Sequence, residues 1–175
     1  IGAVHLLYNK KGEVIDVDCS LEKYIRIVDE HFGGDIEYIV KLYYDRLLRM
    51  IELGGFDIIA HADKIHYNAS QYYPGLLDEP WYDSLMQDYF KAIANSGYMV
   101  EINTKAYLQM DVFFPNERYF PLLKELNIPI LVNSDAHFPK RINSGRPEAL
   151  AKLKESGFTH VMELHQGKWQ KVPIA

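Results

Sequence analysis

Three apolar runs of this chain end in side chains that commonly bind metal ions, and this repeated pattern constrains the fold most. The runs are Gly2-Ala-Val-His5, Phe56-Asp-Ile-Ile-Ala-His61 and Ile130-Leu-Val-Asn-Ser-Asp135-Ala-His137. In barrels of parallel strands, apolar residues form the wall and polar donors lie at the carboxyl ends of the strands. A fourth run, Tyr98-Met-Val-Glu101-Ile-Asn103, also carries polar groups. We therefore predict that these strand ends contribute to one shared site.

The chain alternates between strand-like and helix-like segments, which predicts an α/β fold with parallel strands and outer helices. Strands are predicted at about residues 2–7, 56–61, 98–103, 129–134 and 159–164, and a polar loop at 63–75. Helix caps are predicted at Ser20, Asp35 and Asn116. Five strands are too few to close a barrel of roughly eight. We therefore expect residues 1–175 to be a single domain that forms the C-terminal two-thirds of a larger barrel.

The amino-acid composition limits the kinds of partner that the chain could bind. The chain has 175 residues, 48% of them hydrophobic, and a net charge of -5, which argues against binding to nucleic acid or a membrane surface. The single cysteine, Cys19, excludes an internal disulfide and fits a reducing, cytoplasmic compartment. No apolar run reaches the roughly 18 residues of a membrane-spanning helix. There is no initiator Met before the first apolar run, so we expect a preceding segment.

The candidate metal ligands are His5, His61, Asp135 and His137. Neutral imidazoles and carboxylates suit Zn, Fe and Mn ions, and this donor set does not choose among the three. A histidine at one strand end is more often a hydrogen-bonded structural residue. The agreement of three strand ends favours metal binding over that interpretation.

Four further residues are candidates for substrate binding. Lys64 and His66 follow His61, and they are either contacts to an anionic substrate or solvated loop residues. Lys105 follows Glu101-Ile-Asn-Thr and has the same two interpretations. Glu101 is a metal ligand, a base, a substrate anchor or a carboxylate paired with a lysine.

In these motifs the chain resembles the histidinol-phosphatase branch of the polymerase-and-histidinol-phosphatase (PHP) family. The resembling segments occur in family order, and they are Gly2–His5, Gly34–Tyr44, Phe56–Asp63, Glu101–Thr104 and Ser134–His137. The resemblance implies a distorted (β/α)7 barrel of the TIM type with a trinuclear centre. By the family pattern, His5 and His61 share one ion, Asp135 binds a second and His137 a third. The family's N-terminal His-x-His pair and bridging Glu have no match, so the chain as given would hold about half of the metal site.

The function that this resemblance implies is a metal-dependent phosphomonoesterase that hydrolyses L-histidinol phosphate in histidine biosynthesis. Asp135 and His137 would be catalytic, Lys64, His66 and Lys105 would hold the phosphate, and Glu101 would hold the cationic end of the substrate. Two alternatives remain open. One is another PHP phosphoesterase that acts on small phosphate esters or nucleotides, and the other is a barrel fragment or degenerate relative without turnover.

Overall fold

The computed structural model describes residues 1–174, which form an α/β fold with seven strands and seven α-helices. The strands are β1 Leu6–Tyr8, β2 Val14–Asp16, β3 Ile58–Ile59, β4 Met99–Asn103, β5 Ile130–Asn133, β6 His160–His165 and β7 Lys168–Pro173. The helices are α1 Leu21–Phe32, α2 Ile36–Leu53, α3 Ile65–Tyr72, α4 Pro80–Ser96, α5 Tyr107–Met110, α6 Phe120–Glu125 and α7 Arg146–Glu155. The chain divides into two compact units. The first contains residues 1–2, 56–63 and 93 onward, and the second contains 3–55 and 64–92.

A parallel sheet in the order β3-β4-β5 is the centre of the first unit. Its strands are buried on both faces, as parallel strands between other layers normally are. Gly2 adds a single parallel bridge to Ile59 at the β3 edge. The predicted strands at 56–61, 98–103 and 129–134, and their parallel pairing, are confirmed. No closed sheet occurs among residues 1–174, so the predicted barrel is not shown.

Apart from the bridge at Gly2, the predicted strands at 2–7 and 159–164 pair in antiparallel hairpins, so their predicted place in a parallel sheet was wrong. In the second unit, β1 pairs with β2 as an antiparallel hairpin. In the first, β6 pairs with β7 in the same way. The β6–β7 connection is the dipeptide Gln166-Gly167, and both residues have positive φ, at 50° and 76°. Two such residues form the tight turn whose twist matches an antiparallel hairpin, so the chain folds back directly instead of crossing over.

The helix caps explain where the first two helices begin and end. The Ser20 hydroxyl accepts a hydrogen bond from the backbone N–H of Lys23, and the Asp35 carboxylate accepts one from that of Tyr38. Gly33 ends α1 in the left-handed conformation that glycine adopts without steric cost. These caps are as predicted. Asn116 instead caps a short 3-10 turn that precedes α6.

The predicted loop at 63–75 contains α3, so the loop assignment was wrong over Ile65–Tyr72. Burial of Ile65, His66 and Ala69 along one side of α3 accounts for the helix, since tertiary packing overrides the polar composition of this segment. The second unit also has an aromatic core, in which Tyr44 packs edge-on against Tyr82 and Tyr89. No helix of the described chain combines the length and apolar character needed to cross a bilayer.

One face of the parallel sheet changes from apolar to polar toward the carboxyl ends of the strands. Ile58, Met99 and Leu131 form an apolar cluster, against which Met162 and Trp169 of the β6–β7 hairpin pack. Side chains alternate between the two faces of a strand, so Glu101 and Asn103 follow Met99 on its face, and Asn133 follows Leu131. This alternation brings three polar side chains together at one end of the sheet.

Thr104, which directly follows β4, fixes both ends of the segment 134–144. Its backbone N–H donates to the carbonyl of Asn133 at 2.8 Å, and its hydroxyl donates to the carbonyl of Ser144. Gly145 comes next, with φ +70°, and a Cβ there would lie 2.9 Å from the Cβ of Thr104. Glycine is therefore required at position 145, because any side chain would collide with Thr104.

Candidate functional site

The predicted site residues fall into the two compact units. His61, Glu101, Lys105, Asp135 and His137 belong to the first unit. His5, Lys64 and His66 belong to the second. Within each unit, hydrogen bonds and ion pairs join most of these residues into a local network.

Glu101 is the centre of the network in the first unit. Its side chain is buried, with 4% exposed. Oε2 accepts hydrogen bonds from the backbone N–H of His61 and from Nδ2 of Asn103, both at 3.0 Å. Oε1 accepts a third from Nδ2 of Asn133, also at 3.0 Å. One carboxylate therefore contacts residues from β4, β5 and the end of β3.

Two predicted ligands have a strained backbone. His61 has φ 32° and Asp135 has φ 44°, in the left-handed region that residues with a Cβ rarely adopt. Such conformations cost on the order of 1 kcal/mol each, and they persist where the surroundings hold them, often at functional sites. Each residue lies two positions beyond the end of a strand of the parallel sheet, His61 after β3 and Asp135 after β5. Strain at two strand ends supports a functional role for each.

Asp135 has a cationic neighbour. Lys105 Nζ lies 3.0 Å from Asp135 Oδ2, and the backbone N–H of Lys105 donates to Oδ1 of Asn103. His137 Nδ1 lies 2.9 Å from the backbone carbonyl oxygen of Asp135. A carbonyl only accepts, so this nitrogen carries the proton and Nε2 holds the lone pair of the neutral ring. Many metal-binding histidines are oriented by this kind of contact.

A cavity of about 660 Å³ lies beside the end of β5. Its lining includes Asn133 and Ser134 at the strand end, and Arg146 and Glu163, which form an ion pair. Its apolar part includes Trp169. A cavity with an apolar part and a few fixed polar groups can hold a small organic molecule.

In the second unit, Asp18 joins two of the predicted residues. One oxygen lies 3.1 Å from His5 Nδ1, and the other lies 3.0 Å from Lys64 Nζ. Burial raises the pKa of the Asp18 carboxyl, but the Lys64 ammonium and the His5 ring outweigh it and hold the pKa below its usual value. Asp18 was not identified in the sequence analysis. Its position follows from the β1–β2 hairpin, because the pairing of Val17 with His5 brings Asp18 beside the imidazole.

His66 lies on α3 with 2% of its surface exposed. The alternative that treated it as a solvated loop residue was therefore wrong, and its role as a substrate contact stays a prediction. Burial raises the pKa of the Cys19 thiol, so Cys19 is mostly protonated at neutral pH. A protonated thiol is a poor nucleophile, which supports a passive role for this residue.

The lowered pKa of Asp18 predicts a pH-dependent contribution to stability. A carboxyl whose pKa falls on folding stabilises the protein above its unfolded value of about 3.9 and loses that contribution as pH falls through the folded value. We expect Asp18→Asn to lower the free energy of unfolding at pH 7 by at most about 1 kcal/mol, because the partners are partly exposed. Thermal unfolding from pH 7 to 2.5 should show the two proteins converging below about pH 4. A difference that persists at the lowest pH would contradict this account.

The donor chemistry of the first unit suits a cation. A carboxylate and imidazoles are ligands of Zn, Fe and Mn, and the Lys105 ammonium already lies beside the Asp135 carboxylate. Within residues 1–174, however, no three His, Cys, Asp or Glu side chains lie close enough together to form a ligand cluster. The side chains are therefore of the right type for a metal ion, and the assignment of ligands stays a prediction.

The fold matches the crystal structure of hisK from Listeria monocytogenes, a protein inferred to be a histidinol phosphatase. The two chains share a fold. The TM-score is 0.71 and the match covers 83% of this chain, at 21% sequence identity. The chain spans 56% of the length of hisK. No family model matches the sequence, and no curated protein matches it. At this level of identity the match to hisK establishes the architecture, and activity is a separate question.

Proposed function

We propose that this protein is a metal-dependent phosphomonoesterase of the PHP type, with L-histidinol phosphate as its substrate. One observation carries the proposal. Hydrogen bonds from His61 and Asn133 to the Glu101 carboxylate connect the ends of β3 and β5, in a fold shared with hisK. The motif resemblance to the histidinol-phosphatase branch supports the same reaction. Histidine biosynthesis is the process that this substrate implies.

The proposed ligands are His5, His61, Asp135 and His137. A bound divalent ion would supply Lewis-acid stabilisation of the phosphoryl oxygens and an activated water. The chain itself would contribute Nε2 of His137 and the carboxylate of Asp135 as donors. The cavity beside β5 is our candidate for the organic part of the ester, since its lining includes both apolar and polar groups.

The test is a turnover assay of the purified protein with L-histidinol phosphate and a panel of sugar phosphates, nucleotides and p-nitrophenyl phosphate. We expect kcat/KM for histidinol phosphate to exceed that for every other ester. Comparable turnover of several esters would favour the broader phosphoesterase and reject the substrate assignment. If the metal-bound protein hydrolyses none of these esters, the proposed function is wrong.

Lys64 and Lys105 are the proposed phosphate contacts. Replacing either by Ala should raise KM more than it lowers kcat, because a lysine that binds the ground state and the transition state equally contributes to binding alone. Steady-state kinetics of Lys64→Ala and Lys105→Ala would measure the split, with Lys154→Ala, which changes an exposed lysine of α7, as the matched control. A loss confined to kcat would assign these lysines to the chemical step instead.

A further inference from the structure

We propose that Glu101 is a positioning residue whose buried carboxylate fixes the ends of the three parallel strands and thereby the geometry of His61 and Asp135. This inference rests on the proposed function where it concerns turnover. It replaces the prediction from sequence that Glu101 holds the cationic end of the substrate.

The hydrogen bonds of Glu101 connect three different segments. Oε2 accepts from the backbone N–H of His61 and the side chain of Asn103, and Oε1 accepts from the side chain of Asn133. The bond to His61 is to the backbone, at the residue whose φ is 32°. A hydrogen bond to a backbone group in an unfavourable conformation holds that conformation directly. Glu101 therefore stabilises the strained end of β3.

The connection extends to Asp135 along two routes. Asn103, which donates to Glu101, accepts through Oδ1 from the backbone N–H of Lys105, and Lys105 Nζ lies 3.0 Å from Asp135 Oδ2. Asn133, the second carboxamide bound to Glu101, is two residues before Asp135 at the end of β5. The carboxylate thus supports both the backbone that leads to Asp135 and the lysine beside it.

The charge on Glu101 makes it difficult to replace. Among residues 1–174 it forms no ion pair with a lysine, arginine or histidine, and its donors are one backbone N–H and two carboxamides. Hydrogen bonds to an ionised acceptor are about twice as strong as neutral ones. A glutamine of the same shape has one accepting oxygen, so its amide group would face a donor on one side. The three donors around position 101 therefore match a carboxylate, although the space would also fit an amide of the same shape.

Burial argues against direct contact between Glu101 and a substrate. The carboxylate has 4% of its surface exposed, and both of its oxygens already accept hydrogen bonds from protein donors. A substrate ammonium could reach the carboxylate only by displacing the groups that cover it, and the strand end would lose support when it did so.

The kinetics of Glu101→Gln on two substrates distinguish a positioning role from a substrate-binding role. For a positioning residue, kcat should fall about 10- to 100-fold, the range for groups that orient catalytic ligands, on both L-histidinol phosphate and amine-free p-nitrophenyl phosphate. KM should change little on either ester. A rise in KM for histidinol phosphate alone would overturn the proposal and restore the substrate anchor. Unchanged kinetics on both esters would also overturn it. Glu155→Gln, which changes an exposed carboxylate of α7, is the matched control.

A compensating variant separates positioning from general damage to the fold. In Glu101→Gln combined with Asn133→Asp, the new amide can donate to the new carboxylate, while the glutamine oxygen still accepts from His61 and Asn103. The double variant should recover at least about 10-fold of the lost turnover, whereas Asn133→Asp alone should lose activity because a partly buried carboxylate would then face the buried carboxylate of Glu101. A double variant no better than Glu101→Gln, with both folded, would contradict the positioning role.

Amide hydrogen exchange provides a readout that does not depend on turnover. In the protein without substrate, protection of the His61 amide should fall at least about 10-fold in Glu101→Gln, the order expected when a charge-assisted hydrogen bond is lost or becomes a neutral one, and should return in part in the double variant, where the new carboxylate holds the glutamine oxygen toward His61. Unchanged protection would overturn the proposal even if the protein is a phosphatase. A protein that shows the predicted exchange but hydrolyses no phosphate ester would retain the positioning role of Glu101 and reject the proposed function.

Discussion

Replacing Asp135 by Asn should lower phosphatase turnover at least about 100-fold, the low end for loss of a charge-stabilising group at a reacting centre. Asn keeps the size of the side chain but removes the charge that would hold a hard cation. It also tolerates the left-handed backbone of this residue, at φ 44°, about as well as Asp does. The loss should therefore be one of chemistry with little change in folding. His137→Ala removes a proposed donor outright and should cause a loss of the same order.

The measurement is kcat/KM on L-histidinol phosphate together with thermal unfolding and metal content. The matched control is Asp111→Asn, because Asp111 is also a left-handed aspartate, at φ 53° after α5, and it is exposed and has no place in the proposed site. It should retain wild-type turnover. Wild-type turnover by Asp135→Asn with a normal metal content would remove Asp135 from the site and with it most of the support for the proposed function.

Removal of divalent metal should abolish turnover, with a loss of at least about 100-fold, because the proposed mechanism takes both its activated water and its phosphoryl stabilisation from the bound ion. Activity should return on addition of Zn, Mn or Fe, and the ion that restores the highest kcat/KM identifies the working metal. The assay is dialysis against a chelator, followed by elemental analysis and titration of each ion.

The ligand variants provide the control for this experiment. Asp135→Asn and His137→Ala should each bind less metal than wild-type protein at equal free metal concentration, whereas Asp111→Asn should not. Full activity in protein shown to contain no metal would contradict the metal-dependent mechanism. Full metal binding by both Asp135→Asn and His137→Ala would place the ions at other residues.

The central sheet could be predicted from the sequence because its strands lie in mainly apolar runs with clear boundaries. The runs that contain Ile58 and Ile130 are almost wholly apolar, which is typical of buried parallel strands, and in the run that contains Val100 only Glu101 and Asn103, toward the carboxyl end, are polar. The segments of β1 and β6 contain more exposed residues, and each is followed by a short turn. Both features are typical of a hairpin, whereas a barrel predicts parallel strands at these positions. Gln166-Gly167 contains the information for the hairpin, since two adjacent residues with positive φ fold the chain directly back.

The role of Glu101 could not be predicted from the sequence, because it depends on strand register. Glu101 pairs with Leu131 and Asn103 pairs with Asn133, and only this alignment brings both carboxamides to one carboxylate. A shift of one residue would turn each side chain to the opposite face. Asp18 was missed for a related reason, since its proximity to His5 follows from the pairing of β1 with β2.

The double attachment of segment 134–144 to Thr104 makes that segment an Ω-loop, whose two ends are fixed by a single residue. Changes in length near its outer turn, Pro139–Arg141, alter only the entropy of loop closure, at about 0.6 kcal/mol for each doubling of length. The two attachments hold Asn133 and Ser144 whatever the outer turn contains. The outer turn, Pro139–Arg141, is therefore the part of the loop that design can exchange, whereas Asp135 and His137 near the first attachment belong to the proposed site.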